Sequence, residues 1–191
     1  MKNESKPIYE HINTPIFSNE SGFYNSSFDL TISSDEDVKI YYTLDCSIPT
    51  TKSTLYEGSI KVEDPSNNPN VLKSRNDMSV FKNNTTSPVD KMVVVRAIAV
   101  SIDGNQSEVV TKNYFVGKNK YKDDKIISLV TDSFNLVDDK YGIYVKGKAY
   151  NDYVASGSEG EAPDYNWDME GRISERDCNL TYLNDGDLRL N

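Results

Sequence analysis

Residues 92–100, reading Met-Val-Val-Val-Arg-Ala-Ile-Ala-Val, constrain this chain more than any other stretch. In an extended strand, successive side chains point to opposite sides. Val93, Val95, Ala97 and Ala99 then fall on one face, and Val94, Ile98 and Val100 on the other. Apolar residues on both sides predict a strand covered from both directions. Asp103-Gly104-Asn105 follows as a tight-turn signal, and residues 108–116 supply the partner strand, so this region reads as a hairpin.

Short β-branched and aromatic runs separated by Gly, Pro, Asn and Asp continue in both directions, which predicts a mainly β fold. Phe28, Leu30 and Ile32 share one face of a first strand, and Val38, Ile40, Tyr42 and Leu44 one face of a second. Residues 47–51 form a turn around Pro49, and residues 59–62 resume in extended form. Residues 63–90 are a polar insert, expected to carry a hairpin or short helix because structureless stretches of that length are uncommon in compact domains. Residues 118–125 read as a charged linker. Beyond it, strands are predicted at 126–131 and 142–146, a mobile polar loop at 150–171, and a second hairpin across Asn184-Asp185-Gly186. The chain stops in or just after a strand, which reads as truncation.

Composition narrows the chemistry. The 191 residues carry 21 basic and 30 acidic side chains, a net charge of −9. That average repels polyphosphate, so no nucleic-acid partner is expected. No run reaches the roughly 20 apolar residues of a membrane span, so no membrane insertion is expected, and residues 1–10 lack the apolar core of an export signal. On those grounds the chain as encoded reads as cytoplasmic. His11 is the sole histidine and Cys46 and Cys178 the only cysteines, too few for a zinc site and poorly placed for a Cys-His or Ser-His-Asp nucleophile. The two thiols read as free, with a Cys46–Cys178 bridge as the alternative.

Ile40-Tyr41-Tyr42-Thr43-Leu44-Asp45-Cys46-Ser47-Ile48-Pro49-Thr50, with Ser53, Tyr56 and Ile60, resembles the YTLDGSxPT signature of chitobiase/β-hexosaminidase C-terminal-like domains. Val94-Val95-Arg96-Ala97-Ile98-Ala99 with Asp103-Gly104 and Ser107 is similar to their VRAxA hairpin, and Pro15-Ile16-Phe17-Ser18 to their opening. That resemblance implies an immunoglobulin-like β-sandwich over residues 12–117. Two departures stand out: Ile48 before Pro49, and Cys46 where the family has glycine. At Cys46 the family's turn needs a positive φ, so cysteine must adopt it with strain or change the turn.

Ile127-Ser128-Leu129-Val130-Thr131-Asp132, Asn135-Leu136 and Gly142-Ile143-Tyr144-Val145 with Gly147 resemble the start of the CotH kinase domain of bacterial spore-coat and surface proteins. Asn166-Trp167, Gly171 and Glu175-Arg176 fit its next element loosely, with Ser174 where a Trp is usual. The resemblance implies residues 118–125 as a linker and 126–191 as a truncated, β-rich piece like the start of an atypical kinase N-lobe. The family's catalytic and metal-binding segments would lie beyond Asn191, so ATP and Mg²⁺ are expected only if that core is present. The resemblance also implies a spore-coat or cell-surface location.

The residues themselves give no phosphate cradle. Gly157-Ser158-Glu159-Gly160-Glu161 places two carboxylates where phosphate would sit, with no lysine at P-loop spacing. Asp35-Glu36-Asp37, Asp123-Asp124 and Asp138-Asp139 are adjacent turn acids, not two carboxyls facing across a cleft. No catalytic residue, cofactor or metal is therefore expected in this chain. The leading expectation is a non-catalytic accessory or interaction module, with a protein or cell-surface polysaccharide as partner. The alternatives are a carbohydrate-binding module using Tyr41, Tyr165 and Trp167 as stacking rings, and a fragment of a CotH-type kinase.

Overall fold

The computed structural model describes residues 11–72, 75, 77–78, 87–184 and 187–190. Most of its regular structure is strand. In chain order the strands are β1 (Ile16–Phe17), β2 (Gly22–Tyr24), β3 (Phe28–Leu30), β4 (Ile32–Ser33), β5 (Val38–Thr43), β6 (Thr54–Leu55), β7 (Ile60–Val62), β8 (Val93–Ser101), β9 (Val110–Val116), β10 (Lys125–Val130), β11 (Asn179–Asn184) and β12 (Asp187–Leu190). Two helices, α1 (Ser133–Val137) and α2 (Lys148–Ser156), lie between β10 and β11.

β8 is the centre of a five-stranded sheet ordered β2-β9-β8-β5-β6. It pairs antiparallel with β5 and β9, while β2 joins β9 in parallel. Val95 and Ala97 of β8 and Tyr114 and Val116 of β9 form a core with Ile40, Leu30, Ile32, Ile60 and Val62. The facing layer is made of two short antiparallel pairs, β1 with β4 and β3 with β7. The expected strand over residues 28–32 is thus split at Thr31, so that its two parts pair with different partners while Leu30 and Ile32 both stay inward.

The second face of β8 is buried as well, as its alternation predicts: Val94, Ile98 and Val100 are almost wholly covered. A three-stranded antiparallel sheet, β10-β11-β12, is tied to this side. Asn113 on the outer face of β9 donates to Thr181 Oγ1 of β11 at 2.6 Å, with both side chains at 0% exposure. Ser128 of β10 bonds the sulfur of Met92 at 3.6 Å.

The turn after β5 settles what Cys46 does: it takes φ +68°, the conformation glycine would supply. Asp45 accepts from the backbone N and the hydroxyl of Ser47, and Thr43 donates to the Ser47 carbonyl at 2.7 Å, so the turn keeps its shape around a cysteine. Cys46 is half-buried, Cys178 exposed, and neither is in a disulfide.

Elsewhere the chain departs from its pattern. Residues 142–146 do not form a strand. They fold back on α1, with Ile143 N donating to Asn135 O and Tyr144 N to Leu136 O. The stretch expected to be a mobile loop, 150–171, holds most of α2 and the 3₁₀ turn Asn166–Asp168, and a second such turn, Gly171–Ser174, starts at its end. The stretch expected to be a linker carries a 3₁₀ turn at Asn119–Tyr121. Much of the hairpin or helix expected in residues 63–90, and the Asp185-Gly186 turn, lie outside the described residues. Among the described residues no helix is long and apolar enough to cross a membrane.

Candidate functional site

The best-organised exposed feature is a ladder of four aromatic rings. α2 presents Tyr150 and Tyr153 three residues apart, hence on neighbouring positions of one helix face, with ring centroids 6.5 Å apart. Tyr165 lies 4.5 Å from Tyr150, and Trp167 another 4.5 Å from Tyr165. All four rings are half-buried. The pairs are tilted by 33–47°, within the range of offset contacts that aromatic quadrupoles favour. Lys146 Nζ stands 5.8 Å from the centre of Tyr150, an inner ring of the series. A hydrogen bond with Tyr150 pushes the Tyr165 phenol above its ordinary ionisation range.

Backbone geometry fixes the ladder. Asn166, between Tyr165 and Trp167, donates from its backbone N to Lys146 O at 3.1 Å, and from Nδ2 to Gly142 O at 2.9 Å and Asp139 O at 3.2 Å. Its side chain fills the space beside Gly147, where a Cβ would lie 1.8 Å from Oδ1. Gly147 has φ +87° and ψ 163°, a region closed to other residues. Asp168 closes the turn by accepting from Tyr165 N at 3.2 Å.

Of the three expected stacking residues, the structure brings Tyr165 and Trp167 together and leaves Tyr41 apart. Tyr41 lies on the outward face of β5, opposite Ile98, and lines a separate cleft with Lys39 and Val100. Tyr150 and Tyr153 complete the ladder instead. Their spacing after Gly147 was the available signal, masked by the Gly/Ser-rich composition that follows.

A second candidate lies at the junction of the two sheets. A cleft of about 440 Å³ has apolar walls from Met92, Phe115, Ile126 and Leu129 and a charged rim. On that rim Lys118 Nζ reaches Asp64 at 2.6 Å and Asp90 at 3.4 Å, Lys120 pairs with Asp90 at 2.6 Å, and the Tyr121 hydroxyl donates to Asp90 at 2.6 Å. These partners, Lys120 first and Tyr121 next, hold the Asp90 carboxyl far below the usual range; Lys118 does the same for Asp64, and Asp64 raises Lys118. The charges are committed to one another, which makes this group a clasp rather than a reactive centre. Among the described residues no three His, Cys, Asp or Glu side chains are grouped to hold a metal ion.

Residues 29–114 match the family model described as Fn3 associated. No curated protein and no solved structure matches the chain. The matched stretch runs from β3 into β9, so it takes in most of the sandwich, the Cys46 turn and the β8–β9 hairpin. The aromatic ladder and the three-stranded sheet lie outside it. The CotH resemblance rests on the sequence of residues 127–185 alone.

Proposed function

We propose that this chain is a non-catalytic accessory module of a CotH-like bacterial surface or spore-coat protein, serving to dock or present its neighbours. The observation that carries the accessory role is the Fn3 associated match over the sandwich; the CotH-like setting is supported by the resemblance of residues 127–185 alone. The placement of the acidic residues supports the non-catalytic role. Asp138 is spent on the backbone N–H groups of Lys140 and Tyr141, Asp123 and Asp124 are exposed, and Gly157 serves as the left-handed cap of α2 rather than as part of a phosphate cradle. Incubation with ATP, Mg²⁺ and a panel of protein acceptors is expected to transfer no phosphate; transfer by this chain would overturn the reading.

A second reading is favoured by the ladder: the module holds polysaccharide by stacking sugar rings on Trp167 and its neighbours. An indole or phenol ring gives a sugar apolar contact while its polar tip stays hydrated. Co-sedimentation with insoluble chitin and cellulose, and calorimetry with their oligomers, test it. Binding that falls about tenfold in Trp167→Ala, equivalent to about 1.4 kcal/mol, supports the reading. No heat and no sedimentation would remove it and leave the docking role standing.

A further inference from the structure

Arg96 occupies the second face of β8 and is 8% exposed, an unusual place for a guanidinium. Nη1 donates to the Cys46 carbonyl at 2.8 Å. Nε is buried without a partner, and among the described residues no carboxylate forms an ion pair with this side chain. A cation withdrawn from water without a direct ion pair is costly to hold. Burial accordingly lowers the proton affinity of Arg96, against the opposing field of Asp132.

Arg96 lines a pocket of about 180 Å³ between the sandwich and the appended segment, together with Thr111, Asp132, Asn135, Cys178 and Asn179. The nearby polar groups are mostly spent. Asp132 accepts from Phe134 N at 2.8 Å and from Ile48 N at 3.2 Å. Asn135 Nδ2 bonds Thr131 Oγ1 at 2.7 Å and Asp177 O at 3.4 Å. Asn179 accepts from Thr181, which leaves its amide N–H groups for another partner. Arg96 Nε is thus a buried donor without an acceptor, beside open volume that the half-buried Asn179 also lines.

We propose that this pocket binds the carboxylate of a small monoanion or of a chain end, seated on Arg96 and Asn179. A guanidinium edge matches the two oxygens of a planar carboxylate. At about 30 Å³ per water, the pocket takes the volume of about six waters, enough for a short acid. Asp132 and Asp177, both on its wall, oppose any anion, and a dianion about twice as strongly as a monoanion. Because the pocket's walls come from both parts of the chain, its occupant ties them together.

The test uses the full chain. Sodium acetate is titrated against sodium chloride at equal ionic strength, reading the Arg96 Nε–H resonance and the melting temperature. The expected result is a saturable shift with a Kd of about 1–10 mM and a rising melting temperature. Glycylglycine in a parallel arm separates a chain end from a free acid, and binding of either supports the site. Asn179→Ala, at a half-buried position, is expected to weaken binding about tenfold, and Arg96→Gln to abolish it. Acetate and glycylglycine curves that both follow the chloride control would overturn the proposal, as would an equal response to sulfate.

Discussion

Placing a methyl group on Gly147 tests how the aromatic ladder is held. The new Cβ would sit 1.8 Å from Asn166 Oδ1 and 2.3 Å from its Cγ, so Asn166 must leave. A non-glycine residue at φ +87° and ψ 163° costs about 1–3 kcal/mol. Losing the Asn166 Nδ2 bonds to Gly142 O and Asp139 O removes about 0.5–1.5 kcal/mol each. The stiffer unfolded chain returns about 0.4–1 kcal/mol. Gly147→Ala should therefore lose about 1–5.5 kcal/mol, and the loss should appear first around Trp167, the only tryptophan. Urea unfolding followed by tryptophan emission is the assay: a red-shifted native spectrum and an earlier emission transition are expected. Asn166→Gly in the same chain removes the obstructing side chain, so the double variant should lose less than the sum of the two singles. A Gly147→Ala protein with wild-type emission and midpoint would refute the account of how the ladder is fixed.

Cys46→Gly should stabilise the chain by about 0.5–1 kcal/mol, since the left-handed turn costs an L-residue about 1–2 kcal/mol and glycine's extra unfolded freedom gives back about half; calorimetry showing a lower melting temperature would contradict this. Asp64 and Asp90 have folded-state pKa values below their unfolded ones, so the stability they add is fully present above about pH 4 and is lost as pH falls through the folded values. Melting curves between neutral and strongly acid pH should show that loss, and Lys118→Met should remove chiefly the Asp64 part of it while the Asp90 part, held by Lys120 and Tyr121, persists. Thiol labelling should proceed in two phases, Cys178 fast and Cys46 slow, because Cys46 is half-buried and burial pushes its thiol up. In Cys178→Ser only the slow phase should remain.

The strands were legible where alternation and turn residues agreed. Residues 92–116 read as a hairpin buried on both faces, and the structure forms it from β8 and β9. Agreement was poorer where one pattern could serve two ends. Ile143 and Val145 alternate like a strand, yet the backbone N–H groups of Ile143 and Tyr144 are claimed by carbonyls of α1. α2 buries no residue, so it carries no apolar stripe to reveal it, and its Tyr150–Tyr153 pair was legible only as tyrosines in a polar loop. Trp167 and Tyr165 could be named as exposed aromatics, but their contact with α2 depends on Asn166 reaching back to Gly142, a tertiary link with no local signal. Arg96 was hidden for the opposite reason: it sits inside the most apolar run of the chain.

The tie between the two sheets sets the smallest piece that can be handled at the bench. Cutting after Gly117 would strand the buried Asn113 without Thr181 and Met92 without Ser128. The fragment left would carry an unsatisfied amide beside a newly bared methionine and would be the less stable for it. Expression trials trimmed to the matched stretch would also discard Phe17 and β2, which plug and edge the sandwich.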